Sequence, residues 1–123
     1  MTAKKYTFSK NERLKSRKEI SRIFKDGIFL YSEHLSLGYS VAESNKFAVS
    51  IPKKLFKSAV IRNKLKRRIR EAYRLNKQIL YDFSENSGSF FNILVIYKHK
   101  NPLSFTILNK ELTMLLKKLT AVS

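Results

Sequence analysis

The chain contains no cysteine, so neither a disulfide nor a thiolate zinc site can hold it together, and stability has to come from packing and from a partner. Acidic residues are also scarce. Nine Asp and Glu stand against 26 Lys and Arg, a formal net charge of +17 on 123 residues. Repulsion on that scale opposes a compact state unless something anionic neutralises it. The carboxylates Asp26, Glu33, Glu43, Glu71, Asp82 and Glu85 do not form the grouping of a two-metal nuclease, which counts against a protein that cuts nucleic acid by itself. Long apolar runs are missing too. No stretch reaches the length of a transmembrane span, and residues 1–18 are polar and basic with no apolar signal-peptide core. A cytoplasmic protein with no membrane partner is expected, nucleic acid standing ahead of an anionic membrane surface as the neutralising partner. There is no internal repeat, low-complexity tract or linker, so residues 1–123 are expected to form a single domain, with 1–12 as a flexible basic N-terminus.

Apolar residues make up 43% of the chain, enough for one modest core. Ile20, Ile23 and Phe24 recur at helical spacing, and Asp26-Gly27 ends that helix, with Gly27 expected in the left-handed cap position. Extended segments follow. Ile28 to Tyr31 is a candidate short strand. Leu35, Leu37, Tyr39 and Val41 alternate with small or polar residues, and Phe47, Val49 and Ile51 resume the alternation after a turn at Glu43-Ser44-Asn45. So short a turn predicts an antiparallel hairpin. Ser58 is a candidate N-cap for a helix running to about Tyr81. Phe90 to Tyr97 is a near-continuous apolar run, which predicts an interior strand buried on both faces. A last helix carries Phe105, Leu108, Leu112, Leu115 and Leu119 on one stripe. The order implies an α+β sandwich, with helices economically placed on one side of a small sheet and its small-residue face partly open.

The charge concentrates between Lys57 and Arg70, where seven residues are basic and none is acidic. Winding the segment as a helix turns Ile61, Leu65, Ile69 and Ala72 toward the core. Arg62, Lys66 and Arg70 then form a like-charge row at i,i+4 spacing, with Asn63 beside it. A solvated helix face usually mixes signs, because like charges at that spacing cost a few tenths of a kcal/mol per pair, about the amount opposite charges gain. Phosphates along the row reverse the cost, and arginine forks match their oxygens. Nucleic-acid binding is the reading this pattern supports.

Lys53-Lys54, followed by Ala59-Val60-Ile61-Arg62-Asn63-Lys64-Leu65-Lys66-Arg67-Arg68-Ile69-Arg70-Glu71-Ala72-Tyr73, closely resembles the signature of the bacterial ribonuclease P protein component. Phe24-Lys25-Asp26-Gly27 and Phe47-Ala48-Val49-Ser50-Ile51 extend the similarity, which covers roughly residues 13–119. Two positions depart from the pattern. Lys64 stands where the family's Arg-Asn-Arg triplet ends in arginine, keeping the charge but not the fork, and Pro52 replaces a small polar residue before the Lys-Lys pair. The resemblance implies a two-layer fold with about four strands in a mixed sheet, like the second domain of a ribosomal small-subunit protein, and a left-handed strand–helix–strand crossover against the usual hand. It also implies a subunit of the endoribonuclease that removes the 5′ leader of precursor tRNA, with catalysis by a partner ribonuclease P RNA and its magnesium ions. No catalytic residue, metal ligand or obligate protein partner is expected in the chain itself. By position, Lys53, Lys54, Arg62, Asn63, Lys64, Lys66, Arg67, Arg68 and Arg70 would contact RNA. Ile20, Phe24, Tyr39 and Tyr97 would line the leader cleft.

Other readings stay open at this level. A structural RNA-binding protein shares the composition, though the Lys-Lys to Arg-Asn-Lys segment disfavours it. A helix-turn-helix DNA binder would place a short helix, not a strand, before the basic helix. His34 and His99 are isolated in the sequence and read as ordinary surface or strand-end histidines.

Overall fold

The computed structural model describes residues 8–123. A 3-10 turn at Lys10–Glu12 leads into α1 (Arg17–Asp26), β1 (Ile28–Tyr31), β2 (Leu35–Ala42) and β3 (Lys46–Ser50). There follow α2 (Ala59–Asn76), α3 (Gln78–Ser87), β4 (Phe90–Tyr97) and α4 (Phe105–Val122). The strands form one mixed sheet in the order β1-β2-β4-β3, with β3 parallel to β4 and the other pairs antiparallel.

The expected β2–β3 hairpin does not form, because β4 lies between its two arms. The magnitudes explain why. Bringing β4 to β2 across residues 43–89 costs about 2–3 kcal/mol more loop entropy than closing the three-residue turn. Burying both faces of β4 recovers more: Ile93 and Val95 on one face and Leu94 on the other are buried, at about 1.5–3 kcal/mol per large apolar side chain. Asn45, in the turn itself, secures the splayed arrangement. Its side chain is buried, accepts from the Phe91 N–H at 2.9 Å and donates to Ser84 Oγ at 2.9 Å.

The apolar face of β2, β3 and β4 packs against α2 and α4 in the main core, where Leu65, Ile69, Leu108, Leu112, Leu115 and Leu119 are buried. Helix α1 takes the other face, so the helices are not all on one side. Ile23 and Leu14 form a smaller cluster with Leu94. Gly27 ends α1, but in an extended conformation with φ −72°, not the left-handed one expected. Glycine is needed there because a Cβ would fall 2.5 Å from the Ile23 carbonyl oxygen.

The helix expected to run to Tyr81 stops at Asn76 and restarts at Gln78. No glycine or proline marks the break. Lys77, the residue at the junction, is buried, and its ammonium is paired with Glu12, which also accepts from the Tyr81 hydroxyl. Of the stretch expected to be a flexible terminus, residues 1–7 lie outside the described residues; within 8–12, Phe8 and Glu12 are half-buried and residues 9–11 are exposed. Phe8 sits edge-on to both Phe47 and Tyr73, which stack on each other at 3.9 Å.

Burial pushes the Glu12 carboxyl up, but the hydrogen bonds from Lys77, Tyr81 and the Ser9 N–H outweigh it and hold the group below its ordinary value. A depressed carboxylate stabilises the fold above its unfolded-state range, and that contribution disappears as pH falls and the group protonates. Glu12→Gln is expected to cost about 2 kcal/mol at neutral pH, the scale of losing charge-assisted hydrogen bonds. Urea melts should show the gap between the two proteins closing as the pH is taken down through the carboxylate range.

Candidate nucleic-acid interface

Ser58 Oγ accepts from the Ile61 N–H and starts α2, so the basic segment is helical from its first turn. Leu65, Ile69, Ala72 and Tyr73 are buried, which fixes the rotation of the helix and separates its cations. Asn63, Lys64 and Arg67 are exposed, as are Lys53 and Lys54 in the preceding turn. Lys66 and Arg70 lie on one flank of α2. Burial, and secondly the Arg13 guanidinium nearby, lower Arg70 below its ordinary value. Arg13 and Arg70, from separate elements, thus add their positive charge to the same neighbourhood.

The opposite face of the sheet is built differently. Phe29, Gly38, Leu94 and Ala48 lie side by side across the four strands, and Tyr31, Ser36, Ile96 and Ser50 form the next row. Helix α1 sits over the first row, with Ile23 fully buried and the Asn92 amide donating to Glu19 at 3.2 Å. At Gly38 a Cβ would lie 2.6 Å from the Phe29 ring and 2.8 Å from Ile23 Cγ2. The missing side chain therefore lets Phe29 lie across the strand and α1 sit close. The second row is less covered. Ile96 and Ser50 are half-exposed, and Tyr31 is 59% exposed.

Along this margin three aromatics run in sequence. Phe24, 57% exposed at the end of α1, is 6.4 Å from Phe29, and Phe29 stacks toward Tyr31 at 6.5 Å. Lys98 places its ammonium 4.9 Å from the Tyr31 ring centre. On the far side of α1 an open groove of about 860 Å³ runs past the β2–β3 turn, lined in part by Lys10, Arg13, Lys15, Arg22 and Lys46. Aromatic faces beside cations suit single-stranded nucleic acid, whose bases stack while its phosphates are neutralised.

The family model described as Ribonuclease P matches residues 8–120. The chain belongs to the ribonuclease P family. The ribonuclease P protein component of Porphyromonas gingivalis is 42% identical over 82 residues, 63% of this chain and 60% of that protein. The match thus spans less than two thirds of that relative's length. The ribonuclease P protein component of Dictyoglomus turgidum is 38% identical over 117 residues, covering 91% of this chain and 89% of the relative. Among solved structures, the RNase P protein from Thermotoga maritima superposes with a TM-score of 0.71 at 29% identity, over 87% of this chain and 96% of that one.

Within this ribonuclease P fold the residues singled out from sequence divide sharply. Ile20 is half-buried against the small cluster and Phe24 is exposed. Tyr39 and Tyr97 are not cleft residues. Both share the apolar face that α2 and α4 cover, Tyr39 packing edge-on to Phe91 and Tyr97 donating its hydroxyl to the Asn101 carbonyl. The aromatics of the opposite sheet face are instead Phe29 and Tyr31. Two of the basic residues also have internal duties. Arg62 Nη1 donates to the Phe56 and Lys57 carbonyls at 2.7 and 3.0 Å, closing the turn before α2. Arg68 Nη1 donates to the Leu103 carbonyl at 2.6 Å, on the flank away from Arg70. Arg13, Phe29, Tyr31 and Lys98 were not foreseen. β1 is apolar at every position, so alternation gave no warning of which face its rings take.

Gly38→Ala is expected to force Phe29 or α1 to shift and to cost about 1–3 kcal/mol, the scale of overpacking a filled site. Denaturant midpoints measured for the two proteins check this.

Proposed function

We propose that this chain is the protein subunit of a bacterial ribonuclease P, which removes the 5′ leader of precursor tRNA in the cytoplasm. In this reading the exposed cations of α2, with Lys53, Lys54 and Arg13, grip the phosphates of a catalytic RNA. The leader lies against Phe24, Phe29 and Tyr31. The observation that carries the reading is the separation of the two surfaces: an unbalanced cationic flank on one helix, and, on the small-residue face of the sheet, a strip of aromatics exposed at Phe24 and Tyr31 and half-buried at Phe29. A single non-specific RNA surface would not need both.

Catalysis is assigned to the RNA. Glu71 is the sole carboxylate of α2, and Arg74 engages it through two hydrogen bonds. The cationic flank therefore offers no oxygen set for a hard divalent ion. Magnesium, where the reaction requires it, is held by RNA in this proposal, and the protein's part is to neutralise, orient and retain.

The purified chain alone is expected to leave precursor tRNA uncut, and to restore leader removal by a bacterial ribonuclease P RNA at low magnesium. Cleavage by nuclease-free protein without RNA would overturn the assignment of catalysis. Lack of stimulation with the cognate RNA would favour a purely structural RNA-binding role. The cationic flank has its own measurement. Replacing Lys66 and Arg70 together by Ala should flatten the dependence of log K on log salt by up to about 2 units. An unchanged slope would put the phosphates elsewhere.

A further inference from the structure

At the end of the sheet away from the Asn45 turn, the residues after β1 meet α4. Glu33, His34 and Glu111 each bring one ligand-type atom into a group lying within 4.8 Å of one another. We propose that His34 and Glu33 bind a divalent transition-metal ion of the zinc class, with Glu111 as the carboxylate that orients the imidazole from behind.

Glu111 is the buried member. It accepts from the Ser32 hydroxyl, from the His34 backbone N–H at 2.9 Å and from His34 Nδ1. An ionised carboxylate only accepts. His34 Nδ1 must then carry the proton in this pair, which leaves the Nε2 lone pair on the outer side of the ring. A carboxylate behind a histidine in this way is the arrangement that fixes tautomer and basicity in metal-binding imidazoles.

Outside the ring stands a second carboxylate. Glu33 Oε2 lies 3.6 Å from His34 Nε2. A ring lone pair and a carboxylate oxygen that face each other form a seat that a cation can occupy. The spacing suits a metal: ligand atoms about 2.0–2.1 Å from a tetrahedral zinc lie about 3.4 Å apart. One imidazole nitrogen and one carboxylate oxygen form a donor set suited to zinc, cobalt or nickel in preference to magnesium. The ring of His99 packs edge-on at 4.6 Å and walls the site. Water completes the coordination. The bound ion would brace the β1–β2 turn directly after Tyr31, a turn that His34 already joins to α4 through Glu111.

The experiment titrates the full-length protein with Co²⁺, followed by its visible absorption, with Zn²⁺ then added as competitor. One Co²⁺ per chain, displaced by Zn²⁺ and unaffected by excess Mg²⁺, is expected. His34→Gln should abolish it. Glu33→Gln should weaken it at least tenfold; that side chain is 81% exposed, so the fold is retained. Glu111→Gln should weaken binding by about 10–100-fold, the usual effect of losing the carboxylate behind a ligand histidine. Absence of stoichiometric binding would overturn the proposal. Binding of equal strength in the Glu33→Gln and His34→Gln proteins would overturn it too, by placing the ion elsewhere.

Discussion

Everything in this molecule follows from β4 taking the centre of the sheet. The strand is apolar on both sides, so it is satisfied only with neighbours on both edges and cover on both faces. Its insertion between β2 and β3 makes one face continuous in large side chains, and α2 and α4 are drawn onto that face. The other face inherits serine, glycine and alanine from β2 and β3. One short helix, α1, is enough to cover part of it. The aromatic margin, Phe24 at the end of α1 with Phe29 and Tyr31 of β1, lies at the edge of that cover. The rotation of α2, set by Leu65, Ile69 and Tyr73, decides which of its cations face outward. Both candidate surfaces are thus consequences of packing, not additions to it.

Irregular places are held by polar side chains acting over long separations. Asn45 bridges the splayed turn to β4, Lys77 and Glu12 fasten the α2–α3 junction, and Glu111 gathers the residues after β1. Arg62 and Arg68 belong to this group as well, since each spends donors on backbone carbonyls. In a chain of charge +17, some cations serve the fold and others are free to serve a partner. Composition cannot tell them apart; hydrogen-bond partners can.

What was legible in sequence was whatever depends on local periodicity. The strands, the start of α2 at Ser58, the stripe of α4 and the core arc of α2 all follow from spacing. The failures share a cause. The turn at residues 43–45 carries every local sign of a hairpin, yet a strand distant in sequence wins the pairing. The break at Lys77 has no local sign because a residue far upstream makes it. The rings of Tyr39 and Tyr97 have the chemistry for stacking, but strand parity places them with Leu37 and Val95 in the core. The Phe29 ring instead fills the space above Gly38, a contact between strands that no single-strand pattern contains.

The central claim is that the aromatic margin, and not the basic helix, senses the 5′ leader. It is tested most directly by comparing how a reconstituted ribonuclease P binds tRNA with and without a leader. If the claim holds, replacing Phe24 and Tyr31 together by Ala should reduce the preference for leader-bearing tRNA by about tenfold, the scale of losing base–aromatic stacking. Affinity of the protein for the catalytic RNA should stay unchanged. A full leader preference in that variant, or an equal loss of affinity for the catalytic RNA, would contradict the division of the two surfaces.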